Sequence, residues 1–273
     1  MVRKIAKKIK KALGLSGYLD NELAVLTRKR QYEHPNQFVR YGKQCFSQSD
    51  EDGLTLEIIK RIGIGDGIFA EFGVGDGTEN NTLCLLSLNW KGFWSGGEDI
   101  AFDVSKTNRV FFYKEWINQE NICSLMKRGK SDLGVDDIDL ISVDLDGNDL
   151  YLCEEVLKNG FKPSVFIVEY NAKFPPPIKF CIDYNPSHYW HGSDYYGASL
   201  QSFYSMFDNY DYNLVCCNAA TGTNAFFVKS IYLDLFPETP DNIEDIYVDC
   251  QYYLVTKYGH NQSVKTIELI IRE

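Results

Sequence analysis

The chain of 273 residues is 44% hydrophobic and 24% charged, so it can bury a full core and is neither disordered nor collagen-like. Its formal charge of −10, from 28 basic and 38 acidic residues, argues against a body that grips a nucleic-acid backbone. No apolar run approaches the ~18 residues needed to span a bilayer, and one large domain, or one with an appendage, is the expectation at this length.

The charge is unevenly placed. Residues 1–30 hold nine basic side chains against Asp20 and Glu22, which leaves −17 on residues 31–273. On a helical wheel Val2, Ile5, Ala6, Ile9, Ala12 and Leu13 fall on one side, while Arg3, Lys4, Lys7, Lys8, Lys10 and Lys11 fall on the other. This predicts a basic amphipathic arm over 1–40, with its first helix ended by Gly14. The first 15 residues suit an anionic membrane surface, or docking on the chain's own body or on a partner chain, and a homo-oligomer is open. The basic N-terminus is not followed by the apolar stretch of a signal peptide, so a cytoplasmic address is expected, with peripheral contact at the inner membrane face as an option. Eight cysteines, dispersed without a C-x-x-C pair, suit buried reduced thiols better than a disulfide framework or a zinc site.

From about residue 41 a single domain is expected to run to residue 273. Ser49 followed by Asp52 resembles a helix start, with Leu54, Leu56, Ile58, Ile59 and Ile62 as its apolar positions and Gly63 as its stop. Ile68-Phe69-Ala70-Glu71-Phe72 reads as a strand, followed by a glycine-rich turn and an apolar helical stretch at 83–88. Strands are expected at 92–95, 110–113, 139–144 and 165–170, with helices near 121–127 and 150–158 between the later ones. Alternation of this kind indicates a parallel sheet covered on both faces. After the Pro-Pro-Pro run at 175–177 comes an aromatic-rich loop, then a helix near 200–207. Two apolar runs, 213–217 and 225–228, joined by Ala219-Ala220-Thr221-Gly222-Thr223, read as a hairpin.

The sharpest motif is Glu71-Phe72-Gly73-Val74-Gly75-Asp76-Gly77, an acid at a strand end followed by alternate glycines. Glycines there let the chain turn tightly and let a ligand approach the backbone, while the next helix offers its N-terminal amides. Thr78 stands where a dinucleotide fingerprint needs its third glycine, so a nicotinamide enzyme is disfavoured. The segment resembles the first motif of the class I methyltransferases that use S-adenosylmethionine. That resemblance, running from about Phe46 to Lys229, implies a Rossmann-like α/β fold: a seven-stranded sheet, mostly parallel with an antiparallel last strand, and helices on both faces. It implies that Gly73, Gly75 and Gly77 form the cofactor floor and that Glu71 orients the loop or the methionine amine. The family's ribose-binding acid at the end of the second strand is expected near position 96, which here is glycine; Glu98 is the candidate, with Asp99 in reserve.

Four further segments are similar to the FkbM-like subgroup, which is associated with sugars and surface polysaccharides: Phe46 to Gly53, Asp144 to Asp149, Glu169-Tyr170-Asn171 and Tyr195 to Leu200. By that resemblance the expected activity is O-methylation of a sugar hydroxyl on a nucleotide-activated sugar or a polysaccharide, with a sugar or nucleotide-sugar partner and no nucleic acid. Alternatives are methylation of a phenol, phosphate or protein side chain, or a non-catalytic binding module on the same fold.

A hydroxyl that accepts a methyl group needs a base or a metal to carry away its proton. Asp144 and Asp146 leave the fourth strand, and Glu169 and Asn171 leave the fifth, at strand ends that face a ligand crevice. In one reading Asp144, Glu169 and Asn171 resemble the layout that holds magnesium in metal-dependent relatives, and hard oxygen ligands suit that ion. In the other, Asp144 or Asp146 contacts the cofactor or acts as base. His188 and His191 lie in the aromatic loop, and His191 is the candidate base of the two.

Overall fold

The computed structural model describes residues 16–105 and 107–251. The first 15 residues of the expected 1–40 arm, with their expected membrane or partner contact, lie outside the described residues. No helix among the described residues is long and apolar enough to cross a membrane.

Seven strands form one sheet: β1 (Ile68–Phe72), β2 (Lys91–Gly96), β3 (Val110–Lys114), β4 (Leu140–Val143), β5 (Val165–Glu169), β6 (Tyr212–Cys217) and β7 (Asn224–Lys229). Their order is β3-β2-β1-β4-β5-β7-β6, and β7 alone runs against the rest. This is the class I methyltransferase fold, Rossmann-like and mixed, as the resemblance implies. Alternation along each strand divides the core in two. Ala70, Phe72, Ile141, Val143, Phe166 and Val168 face α3 (Ile122–Leu133), α4 (Asp149–Lys158) and α5 (Leu200–Asp208). Phe69, Leu140, Val165 and Ile167 face α2 (Glu51–Ile62), through Leu54, Ile58 and Ile59. Both faces are covered because strands this apolar cannot leave either one in water.

Local chemistry sets the element ends. Helix α2 has Glu51 and Asp52 in its first turn and Lys60 and Arg61 in its last, each favourable to the helix dipole, and it stops at Gly63 in a left-handed conformation. Helix α3 runs well beyond the expected 121–127, to Leu133, and also ends on a left-handed glycine, Gly134. The stretch Leu83–Leu88 is a 3-10 helix, shorter and tighter than an α-helix.

Helix α1 (Ser16–Glu33) and the 3-10 turn Gln37–Tyr41 lead into the domain. Arg30 donates to the Ala220 carbonyl (3.1 Å), Asn36 Nδ2 donates to the Val215 carbonyl (2.7 Å), and Phe38 and Val39 are fully buried. All eight cysteines are free thiols, and Cys84, Cys153, Cys216 and Cys217 are buried. A short helix, α6 (Ile243–Ile246), follows β7 and buries Ile246.

Candidate functional site

Strand β1 runs into the glycine turn beside the end of β4. Gly73 has φ +93°, and a Cβ there would lie 1.6 Å from the Asp144 carbonyl oxygen, so only glycine fits. Its N–H donates to the Ser95 carbonyl (2.9 Å), and Gly77 N–H closes the turn on the Val74 carbonyl (2.8 Å). Gly75 has φ +51° with nothing within 4 Å of a Cβ position, so the turn is open to a ligand there. Gly77 lies against Ile100 and Phe102.

Glu71 is buried at the end of β1. Its carboxylate accepts the Asn81 N–H (2.7 Å), the Thr82 N–H (3.1 Å) and the Thr82 hydroxyl, and burial pushes its pKa up to about 7. Asn81 in turn donates to Ser142 Oγ (3.2 Å), and Trp94 Nε1 donates to the Thr82 hydroxyl (2.9 Å). The amides that open the 3-10 helix are therefore spent on Glu71, whose carboxylate is held by the chain's own loop.

Asp144, Asp146 and Glu169 converge: one carboxylate oxygen from each lies within 4.8 Å of the others. Parallel pairing of β4 with β5 places Val143 beside Val168, so the next residue on each strand, Asp144 and Glu169, emerges side by side. Asp146 adopts φ +54°, in a turn clamped by the buried Asp149, which accepts the N–H groups of Leu145 (2.7 Å) and Gly147 (2.9 Å). Burial, and then repulsion from neighbouring carboxylates, holds the Asp144 and Glu169 carboxyls well above the ordinary range. Asp146, the exposed member of the three, is raised by desolvation within the carboxylate turn, and burial pushes Asp149 up to about 6.

The Asn171 side chain, two residues beyond Glu169, is engaged within the chain. Its carboxamide is fully buried, donates to the carbonyls of Asp194 (2.9 Å) and Tyr196 (3.0 Å), and accepts the Lys173 N–H. Asp146 is the third carboxylate of the convergent set. Of the two loop histidines, His191 is exposed beside Tyr189, with ring centres 5.3 Å apart. His188 is the one that touches the carboxylate turn: a Cβ on Gly147 would lie 2.3 Å from its ring. Glu98 is exposed two residues beyond β2, while Asp99 pairs with Lys114 (2.7 Å).

The aromatic loop is tied down next to the cluster. Trp116 Nε1 donates to the Pro186 carbonyl (2.7 Å), and Asn148 Nδ2 donates to the Asn185 carbonyl (2.7 Å). His188, Tyr189, His191 and Tyr195, with Asn185 and two serines, line an open pocket of about 210 Å³.

Residues that sequence reasoning did not connect to the site flank Glu169. Asn224 is its register partner across β5 and β7 and donates to Glu51 Oε1 (3.2 Å), which also accepts from Asn218 Nδ2 and Ser49 Oγ. The acids of Phe46 to Gly53 are clamps: Asp52 Oδ2 accepts three successive N–H groups, from Cys45, Phe46 and Ser47, and Asp50 accepts those of Ala219 and Ala220. Nothing in the local sequence distinguishes these acids from ligands, because their partners lie on the distant hairpin or on a loop folded back over them.

No protein-family model matches the chain, and no curated protein matches it. Solved structures with a similar fold include the O-methyltransferase TomG from Streptomyces achromogenes in complex with S-adenosylmethionine, at 13% identity and TM-score 0.40, covering 67% of this chain and 82% of that one. An O-methyltransferase family protein from Burkholderia thailandensis is similar at 12% identity and TM-score 0.41, covering 77% and 70%. A fibrillarin–Nop5p complex is similar at 13% identity and TM-score 0.38, covering 60% and 73%.

Proposed function

We propose that the chain is an S-adenosylmethionine-dependent O-methyltransferase whose acceptor is a sugar hydroxyl. The observation that carries this reading is the convergence of Asp144, Asp146 and Glu169 at the carboxyl end of the sheet, with the Asp144 carbonyl pressed against Gly73 of the open glycine turn. In a parallel α/β sheet that end is where ligands bind.

S-adenosylmethionine supplies an electrophilic methyl group, which leaves sulfur as the carbon–oxygen bond forms. The chain's part is to floor the donor with Gly75 and to take the proton from the acceptor oxygen. Glu169 and Asp144 suit that task, because burial lifts their pKa values from the ordinary carboxylate range toward that of a useful base. The cluster also fits a magnesium ion: three hard oxygen donors within 4.8 Å repel one another, and a divalent cation relieves that repulsion. Asp144, Asp146 and Glu169 would hold it, and it would lower the pKa of a bound hydroxyl. The tyrosines and histidines of the 210 Å³ pocket offer flat apolar faces with polar edges, which suits a sugar ring.

Calorimetry with S-adenosylmethionine tests the first step, and absence of binding at millimolar donor refutes the enzyme reading. A mass-spectrometric screen of nucleotide sugars and oligosaccharides then tests the acceptor; methylation of phenols or proteins alone would overturn the sugar. Full activity after chelation, unaltered by added magnesium, would exclude the metal.

A further inference from the structure

A second cavity lies at the opposite, amino end of the sheet, with a volume of about 330 Å³. It sits where the chain enters β4 and β5, beside α3, and four residues of β4 at ~3.3 Å each put it roughly 13 Å from the carboxylate cluster. Met126, Ile138 and Phe161 give it an apolar floor. Lys127 and Lys130 reach it from α3, three residues apart and so on neighbouring positions of one helix face, and Lys162 reaches it from the loop before β5.

Lys127, Lys130 and Lys162 line one cavity, unlike Lys43, Lys91, Lys179 and Lys229, which also lack an ion pair among the described residues but do not line it. Lys29, Lys60, Lys114, Lys158 and Lys173 each pair with a carboxylate, whereas Lys127, Lys130 and Lys162 have no ion pair among the described residues. The Lys130 ammonium lies instead over the Phe161 ring, 5.7 Å from its centre. Asp137 is the one carboxylate in the lining. Three cations against one anion thus gather around an apolar floor, on a chain whose net charge is −10. An anion seated between them removes their mutual repulsion.

Small-molecule pockets occupy about 300–1,000 Å³, so this cavity suits a compact molecule and not a peptide or a nucleic-acid strand. We infer that it binds a phosphate monoester with an apolar or aromatic body, of about the size of a nucleoside monophosphate. Three ammonium groups match the several oxygens of a phosphate dianion better than the two of a carboxylate. The floor takes the body of the ligand, and Asp137 accepts a hydrogen bond from a hydroxyl on it. This site is independent of the methyl-transfer crevice.

The test is calorimetry on the full chain with adenosine monophosphate, uridine monophosphate and inorganic phosphate, repeated on Lys127→Ala/Lys130→Ala, Lys162→Ala and Gly75→Ala. Circular dichroism checks that the lysine variants, altered near the surface, keep their fold. A nucleoside monophosphate is expected to bind saturably and more tightly than phosphate. Its affinity falls about tenfold for each lysine removed, as when one charge-assisted hydrogen bond is lost, and falls further with added salt. The inference is overturned if no probe binds at millimolar concentration, if phosphate binds as tightly as the nucleotides, or if the double lysine variant binds unchanged. Binding that survives the lysine changes and is lost in Gly75→Ala places the ligand in the crevice and also overturns it.

Discussion

Substituting each glycine of the turn by alanine separates what the turn does for the fold from what it does for a ligand. At Gly73 the added methyl group meets the Asp144 carbonyl oxygen at 1.6 Å, and the flanking strands β1 and β4 are central to the sheet, so neither can withdraw. A left-handed backbone costs a non-glycine residue ~1–2 kcal/mol, and overpacking a rigid site ~1–3 kcal/mol or more, so the loss is about 4 kcal/mol. At ~2–4 °C per kcal/mol in a domain of this size, the Tm of Gly73→Ala falls by on the order of 10 °C. Gly75→Ala meets nothing within 4 Å and carries only the backbone strain at φ +51°, about 1 kcal/mol. Gly77→Ala falls between, because its neighbours at 3.2 Å are the side chains of Ile100 and the partly exposed Phe102, which can shift. Thermal and urea denaturation read the order. Donor affinity follows a different one, with Gly75→Ala losing binding at nearly full stability. A Gly73→Ala protein no less stable than Gly75→Ala would refute the wedge between β1 and β4.

The carboxylate cluster gives stability a pH dependence of known sign. Asp144 and Glu169 have raised pKa values, so the folded chain holds their protons more tightly than the unfolded chain; their stabilising contribution is complete below the ordinary carboxylate range and is lost as pH rises through the raised values. Glu71, raised to about 7 from 4.5, acts with the same sign across that interval. Glu169→Gln removes one member, so its Tm relative to wild type rises between pH 5 and pH 8 by roughly a few degrees, while methyl transfer falls by about 100-fold; a difference constant across that range would refute the coupling. The Arg61 guanidinium lies over the rings of Phe38 (4.9 Å), Tyr41 (5.2 Å) and Phe236 (5.6 Å) and pairs with Glu57 and Glu238. Arg61→Lys keeps the charge and loses the planar fork, at about 1–2 kcal/mol in urea denaturation, and an unchanged midpoint would count against that packing. Phe207 is fully buried, with ring centres 4.3 Å from Phe227 and 4.9 Å from Phe166. Phe207→Ala is expected to cost about 3–5 kcal/mol, and a loss under about 1 kcal/mol would mean that the site collapses around the missing ring.

The sequence by itself determined the strands, most of the helices and the glycine turn, because each is written in local chemistry: apolar runs at strand spacing, glycines where the chain must turn, and a left-handed stop such as Gly63. It also marked Asp144, Asp146 and Glu169 as leaving neighbouring strand ends. Tertiary structure decided what each polar group does with its oxygens. The carboxamide of Asn171 is a candidate ligand in the sequence, yet it bonds to the carbonyls of a neighbouring loop, and the acids at 50–52 are engaged by backbone N–H groups and by side chains of the hairpin. Of His188 and His191, only the fold chose which rests on the carboxylate turn, and only strand register set Asn224 opposite Glu169. A residue's secondary structure follows mainly from its sequence neighbours. The fate of a buried carboxylate follows from whichever donors the fold brings within 3 Å or so, and those are set by the pairing of strands far apart in the chain.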